Sequence, residues 1–353
     1  MLNFYKNKKI FVTGATGFKG SWLCFWLTIL GAKVVGTGMR RNSQKLFYQL
    51  NLHKKIKIHY LDITNDYEKL KFIIKKFKPS IIFHLAAQPL VRESYKKPLE
   101  TFHVNILGTA NILDISYNVK SVRSLLCITS DKVYYNENWV WGYREKDKIG
   151  GDDPYSASKA SAELVIQSYR ASFGKKNPKL GVASCRAGNV IGGGDMSKDR
   201  LIPDSIKNLL NNKKIIIRNP NANRPWQHVL EPLHGYLVLA KKLFYEQKKY
   251  SGPYNFGPST TSILNVKSVV EKIIKIWGSG KLKVIKKKNE PKEQQILQLN
   301  IDKSIQVLKW KPIYSLAETI LVTVFWYKQV FFYKNNPIDI TAKQILEYQK
   351  NIK

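Results

Sequence analysis

Apolar residues in the first half of the chain fall in short blocks: "KIFVTG", "KVVGTG", "KIHYLD", "SIIFHLAA", "SLLCITS" and "GVASCRAG". Each block is apolar at successive positions, as suits a strand covered on both faces. Between the blocks, apolar residues recur at helical spacing over 19–30, 66–77, 100–117 and 155–173. Strand alternating with helix predicts an α/β fold, a parallel sheet wound on both faces by helices. After about residue 192 the pattern loosens. Gly, Pro and Asn cluster in "IGGGD" and "RNPNANRPW", and shorter blocks follow, "KKIIIRN", "GPYNFGP" and "KLKVIKK". Helices over 266–277 and 316–333 are expected near the end. The expected division is a first lobe over 1–188, rejoined by 231–250, and a smaller C-terminal α/β substrate lobe over 189–353.

Hydrophobic residues make up 44% of 353, ordinary for a chain with a real core. No apolar stretch is long enough to span a bilayer. The nearest, "ILVTVFWYKQVFFY", is broken by Lys328 and Gln329 and reads as a packed helix. The N-terminus runs straight into a strand, without the apolar region of a signal peptide. Cys24, Cys127 and Cys185 lie far apart without metal spacing, so no metal is expected and a reducing cytoplasm fits. Net charge is +34, yet the lysines are dispersed, as in "HKKIKI" and "NNKKIIIRN". With no nucleic-acid-binding signature beside them, they read as a lysine-biased surface.

Candidate chemistry begins in "FVTGATGFKGSWL". Gly14, Gly17 and Gly20 directly follow the first strand and open a helix. Glycines there let the backbone approach a pyrophosphate, and the helix N-terminus supplies free N–H groups. Asp62 in "HYLD" either meets an adenine amino group or caps the next helix. Ala86 and Ala87 in "FHLAAQ" leave room for a ribose or diphosphate, or for close helix packing. The second strand ends without the carboxylate that commonly binds the adenosine ribose. "GTGMRRNS" has Arg40 and Arg41 instead. They either accept a 2′-phosphate, favouring NADP, or are solvated loop residues.

The block "SLLCITSDKVYY" runs from apolar residues into Ser130, Asp131 and Lys132. A surface ion pair would be worth little. Ligands, however, bind at the carboxyl edge of a parallel sheet, so these charges point to acid–base work. "DPYSASKASAE" adds Tyr155 and Lys159, four apart and on one helical face, with Pro154 at the helix start. A nearby ammonium lowers a phenol from its usual pKa of about 10. Such a phenol takes a proton from a sugar hydroxyl near neutral pH.

"TGATGFKG", Ser130 and "YSASK" together resemble the extended short-chain dehydrogenase/reductase family, whose fold is a doubly wound, Rossmann-type sheet. "GFKGSWL", "HLAAQPLVRESY", "ITSDKVY", "WVWGYRE", "RAGNVIGGGD" and "NRPWQHVLEPL" narrow the resemblance to its CDP-glucose 4,6-dehydratases. The resemblance implies bound NAD, with NADP open because of Arg40 and Arg41, and a nucleotide-sugar substrate, CDP-glucose. C4 is oxidised by hydride transfer, water leaves across C5 and C6, and the hydride returns to C6. A GDP-mannose-type dehydratase and an NDP-sugar epimerase are the alternatives. A non-catalytic dinucleotide-binding protein is a third, opposed by the intact Ser130, Tyr155 and Lys159.

Residue roles follow from the same resemblance. Tyr155, with Lys159 and Ser130, deprotonates the C4 hydroxyl; Asp131 is the acid at the C6 hydroxyl; Lys132 occupies the base position at C5. Cofactor contacts fall on Gly14, Thr16, Gly17, Phe18, Lys19, Gly20, Arg40, Asp62, Ile63, Ala86, Ala87, Gln88 and Asn105, besides Tyr155 and Lys159. Asn105 is read as orienting the site through backbone bonds. Substrate contacts fall on Arg92, Ser130, Trp141, Tyr143, Arg144, Asn189, Arg200, Ile202, Arg218, Arg224 and His228. Arg224 and Asn189 face the diphosphate, Arg200 and Ile202 the nucleotide, Trp141 and Tyr143 the hexose. Loop packing competes for the aromatic residues, and a structural hydrogen bond for His228 and His84. A homodimer through helices over 101–118 and 155–173 is also implied. Val133, Tyr135 and Asn136 depart from the family pattern, and "NEPKEQQILQLN" keeps Glu293 without its histidines. Nucleotide specificity is therefore more open than reaction type.

Overall fold

The six apolar blocks become strands β1 (Lys9–Thr13), β2 (Lys33–Gly38), β3 (Lys57–Tyr60), β4 (Ile81–His84), β5 (Ser124–Ile128) and β6 (Gly181–Ala187). A computed structural model describes residues 2–40, 45–197, 199–259, 263–285 and 297–352. A seventh strand, β7 (Gly252–Phe256), joins the same sheet beside β6. The order is β7-β6-β5-β4-β1-β2-β3, parallel throughout. The chain reverses its direction across the sheet between β1 and β4, and a crevice at the carboxyl ends belongs at such a point.

Helices cover both faces because alternate strand residues point to opposite sides. Phe11, Ile82, Leu125 and Val182 pack under α2 (Tyr67–Phe77), α3 (Gly108–Asn118) and α4 (Pro154–Ser172). Val12, Phe83, Leu126 and Ala183 pack under α1 (Phe18–Ile29) and α6 (Leu230–Tyr245). The smaller lobe holds α5 (Leu201–Leu210) and α7 (Val266–Trp277). Strand Ile215–Ile217 pairs with Leu282–Val284, and Asn223–Pro225 with Ile263–Asn265.

Three elements differ from expectation. "GPYNFGP", assigned to the small lobe, is β7, because Tyr254 and Phe256 are buried on the open edge of β6 under α6. The helix over 100–117 is broken by a π turn, His103–Leu107, which swings Asn105 inward. The last helices are α8 (Leu316–Tyr327), continued by a π turn to Phe332, and α9 (Pro337–Lys350), which the pattern did not announce. No helix among the described residues is long and apolar enough to cross a membrane.

A buried carboxylate ties the C-terminal segment to the sheet. Glu231, in the first turn of α6, accepts from the backbone N–H groups of Ile313 (3.1 Å) and Tyr314 (2.7 Å) and from the Tyr348 hydroxyl (2.7 Å). Burial pushes its carboxyl up to about 7, these hydrogen bonds acting downward.

Candidate active site

β1 ends at Thr13 and the chain turns directly into α1. Gly14 sits at φ +68°, where a side chain would be strained, and an added Cβ would lie 2.7 Å from the Ala86 nitrogen. A Cβ on Gly20 would overlap the Gly14 carbonyl. Gly17 caps α1 with no side-chain bond, leaving the helix N-terminus open to an anion. The loop therefore fits a dinucleotide diphosphate. Thr16 is buried against Gly38, while Phe18 and Lys19 stand half-buried in the first turn of α1.

Neighbouring strand ends are braced rather than loose. His84 bridges Thr13 (2.7 Å) and Thr109 (3.2 Å) through its two ring nitrogens. Burial, then Lys159, pulls its pKa down to about 3, so it is a neutral structural group. Asp62 Oδ1 accepts from the N–H of Thr64 (2.8 Å) and Asn65 (3.4 Å), folding a turn, while Asp66 stands at the N-cap of α2. Capping of that helix by Asp62 is thereby corrected. Ile63 is buried against Gly108. Ala86 and Ala87 are half-buried at the sheet edge. Arg40 is exposed, its guanidinium 4.7 Å from the Tyr60 ring centre. Arg41 and Glu293 lie outside the described residues. Asn105 bonds the N–H (2.9 Å) and C=O (3.2 Å) of Gln88 and the Ser158 hydroxyl (2.9 Å), an orienting role. The Gln88 amide is itself engaged, donating to Thr101 (2.8 Å) and accepting from the Leu90 N–H (2.6 Å), so it braces the loop.

At the tip of β5, Ser130 caps a one-turn helix over Asp131–Val133. Its hydroxyl accepts from the Lys132 N–H (3.2 Å) and donates to Asp131 Oδ1 (3.0 Å). Tyr155, in the first turn of α4, lies beside the same hydroxyl. Lys159, one turn on, donates to the Ile128 carbonyl (3.3 Å). Helix and strand tip thus bring Ser130, Asp131, Tyr155 and Lys159 to one place, with Lys132 in the same turn as Asp131. Burial raises the Asp131 carboxyl above the ordinary range; Lys132, Ser130 and Lys19 act downward without cancelling it. A carboxyl so placed keeps its proton to higher pH, as an acid catalyst requires.

The phenol departs from expectation. Burial pushes Tyr155 up to about 12, with the Ser130 bond acting downward and Asp131 upward. Burial pulls the Lys159 ammonium down to about 8, with Glu163 acting upward. Desolvation outweighs pairing for both groups. Lys19 shares their field: burial, then Arg200 and Lys159, pull it down to about 8, and Asp131 acts upward. Gly188, just past β6, touches the acid, since a Cβ there would lie 2.6 Å from Asp131 Oδ2. From Gly188 an open cleft runs along Pro225, Gly257, Pro258, Gln298 and Leu299.

Several expected substrate contacts lie elsewhere. Tyr143 is 1% exposed, and its hydroxyl is held between Asn136 Oδ1 (2.9 Å) and the Glu137 N–H (2.7 Å). It stacks between Tyr134 and Trp139 and belongs to the loop's own core. Trp141 is 59% exposed beside Trp139. Arg144 points to solvent with Asp147 at 3.1 Å. Ile202 is buried in the small lobe. His228 is wholly buried between Trp22 and Tyr314, and burial lowers it to about 3. Its Nδ1 accepts from the Leu230 N–H at 3.4 Å, so it is a structural hydrogen-bonding group out of reach of substrate. Arg92 stands half-buried 3.9 Å from Asp199. Arg200 pairs with Asp195 at 3.0 Å and acts on Tyr155 electrostatically. Asn189 and Arg218 are half-buried, and Arg224 donates to the Asn223 carbonyl at 2.9 Å. Sequence reasoning missed Glu163 and Arg186; a charged residue inside the otherwise uncharged block "GVASCRAG" was the available signal.

The phosphate cradle, the doubly wound sheet and the Ser–Tyr–Lys group define a class: the chain belongs to the GDP-mannose 4,6 dehydratase family, whose model matches residues 11–323. A particular likeness lies within that class. The chain is 47% identical over 333 residues to the CDP-glucose 4,6-dehydratase of Salmonella typhimurium (strain LT2), covering 92% of each. Among solved structures, UDP-glucose 4-epimerase of Thermotoga maritima with UDP-glucose superposes with TM-score 0.78 at 21% identity, over 92% of this chain and 99% of that one. The dTDP-glucose 4,6-dehydratase of Bacillus anthracis in complex with NAD gives 0.76 at 22%, over 91% and 97%. At these identities the two structures share the fold.

Proposed function

We propose that this protein converts CDP-glucose to CDP-4-dehydro-6-deoxyglucose with NAD as its cofactor. One observation carries the reading: Asp131, buried at the strand tip and bonded to the Ser130 hydroxyl, lies beside the phenol of Tyr155. An epimerase needs the phenol alone. A dehydratase also needs a proton donor for the departing C6 oxygen. Likeness to the Salmonella enzyme supports the cytidine nucleotide.

Bound NAD supplies the hydride acceptor for C4 and the hydride that returns to C6. The chain's residues handle protons and position. Tyr155 removes the C4 hydroxyl proton as the phenolate, a form that the positive charge of bound NAD would favour against the burial that raises the phenol, and Ser130 orients it. Asp131 gives its proton to the C6 oxygen, and Lys132 is the base at C5. The half-buried glycine loop holds the diphosphate of the cofactor. The exposed Arg40 favours a second reading, NADP in a GDP-mannose-type enzyme, since a guanidinium suits a 2′-phosphate.

A homodimer accords with exposed Tyr95, Leu99, Leu107 and Leu164, which stand on adjoining helices over 91–107 and α4. A cytoplasmic location accords with three buried cysteines, all free. The test is to incubate the protein separately with CDP-glucose, GDP-mannose, dTDP-glucose and UDP-N-acetylglucosamine. The expected result is loss of one water and the alkaline absorbance of a 4-keto sugar, with CDP-glucose converted ahead of the others. Conversion of none overturns the dehydratase reading. A monomer by light scattering at micromolar concentration overturns the dimer.

A further inference from the structure

Glu163 and Arg186 form an ion pair of 2.8 Å, each side chain only 4% exposed. Neither touches the cleft, and the proton chemistry above does not use them. Two of their remaining bonds reach the residues that flank the catalytic turn. Glu163 Oε1 accepts from the Thr129 hydroxyl (2.6 Å), and Oε2 accepts from Ser184 (2.7 Å). Thr129 immediately precedes Ser130. On the other side Arg186 Nη1 donates to the Tyr134 hydroxyl (2.8 Å) and to the Glu145 carbonyl (3.1 Å), with its guanidinium 4.9 Å from the Tyr134 ring centre. The Tyr134 hydroxyl passes its own proton to Asn255 Oδ1 (2.8 Å) on β7. Glu163 also lies one helical turn beyond Lys159.

The structure assigns Glu163 and Arg186 as a buried clamp that grips residues 129 and 134 and so positions Ser130, Asp131 and Lys132 against Tyr155 and Lys159. A buried ion pair is a poor device for stability, because desolvation of two charges consumes most of their attraction. It is a good device for geometry when several directional bonds fix it, as here, where both Glu163 oxygens and both terminal Arg186 nitrogens are bonded and Arg186 Nε alone is without a partner. The Glu163 carboxyl shows the satisfaction directly. Burial would raise it, yet Arg186, Thr129 and Ser184 together bring it below the ordinary range. Both residues are positioning residues: they act through Thr129, Tyr134 and Lys159.

Thr129→Val and Tyr134→Phe each cut one jaw of the clamp with little change of shape. Hydrogen exchange of the peptide over 129–134 is measured beside kcat and KM for CDP-glucose, so part of the test rests on the reaction proposed above and part does not. Expected are about ten-fold faster exchange in that peptide, unchanged exchange in β1 and β2, and kcat lowered about ten-fold at unchanged KM. Unchanged exchange in both variants overturns the clamp. Faster exchange in a wild-type background that converts no CDP-glucose overturns the dehydratase reading and leaves the clamp standing. The double variant Glu163→Gln/Arg186→Met removes both charges together. Wild-type thermal stability with kcat still lowered supports positioning; wild-type thermal stability together with wild-type kcat overturns it.

Discussion

Replacing Gly188 by alanine tests whether Asp131 must sit where it does. The new Cβ would lie 2.6 Å from Asp131 Oδ2 and 3.2 Å from Cγ. Ordinary contact begins at 3.4 Å, so the carboxyl must retreat by 3.4 − 2.6 = 0.8 Å. That retreat strains or breaks the 3.0 Å bond from the Ser130 hydroxyl, the link joining the acid to the phenol. A displacement of about 1 Å at a reacting group costs on the order of 10²-fold, or about 2.7 kcal/mol of barrier. Tyr155 and Lys159 do not contact Gly188's added carbon, so C4 oxidation should persist while water loss slows. Mixing the Gly188→Ala enzyme with CDP-glucose in a stopped-flow instrument should show reduced cofactor building up in the near ultraviolet, with kcat down ten- to a hundred-fold. Full kcat would refute the reasoning. So would a loss of cofactor reduction as large as the loss of kcat, because the glycine would then serve the oxidation step.

Lys132→Ala should stop water loss while cofactor reduction remains visible in single-turnover spectra; loss of reduction with binding intact would move Lys132 to the oxidation step. Gly14→Ala places a Cβ 2.7 Å from the Ala86 nitrogen at a positive φ, so NAD affinity by titration calorimetry should weaken at least ten-fold, and native affinity would show that the loop does not cradle the diphosphate. Glu231 gives a pH dependence of stability. Its folded carboxyl titrates near 7 against an ordinary 4.5, so stability is highest below about 4.5, falls as pH rises toward 7 and is flat above, a loss on the order of 3 kcal/mol. Glu231→Gln should flatten that slope in urea titrations between pH 5 and 8, and an equal slope in the variant would exclude Glu231 as its source.

The parts of the site legible in the sequence are those fixed by local chemistry. Gly14, Gly17 and Gly20 announce a turn that side chains would block, and Tyr155 and Lys159 lie on one face because helices repeat every 3.6 residues. Ser130, Asp131 and Lys132 were visible as polarity at the end of an apolar block. What escaped depends on distant chain. β7 is visible as a short block, but its place in the main sheet comes from pairing with β6, which its own residues do not announce. Tyr143 reads like a hexose platform until Tyr134 and Trp139 close around it. The pKa of Tyr155 was misjudged in direction because spacing reports a neighbouring charge and is silent about depth of burial.

The late position of β7 in the chain bears on how the protein is made. β6 ends at residue 187 and its edge partner begins at residue 252, so 252 − 187 = 65 residues must leave the ribosome before that edge is covered. At about 5–20 residues per second this is an interval of roughly 3–13 seconds. Through it the nascent sheet presents an open, uncharged edge apart from Arg186, the kind of surface that pairs with other chains. Asn255, which receives the Tyr134 hydroxyl, arrives on the same late strand. Closure of the sheet edge and completion of the network beneath the catalytic turn therefore await the same strand, and no chain that stops before β7 carries that network.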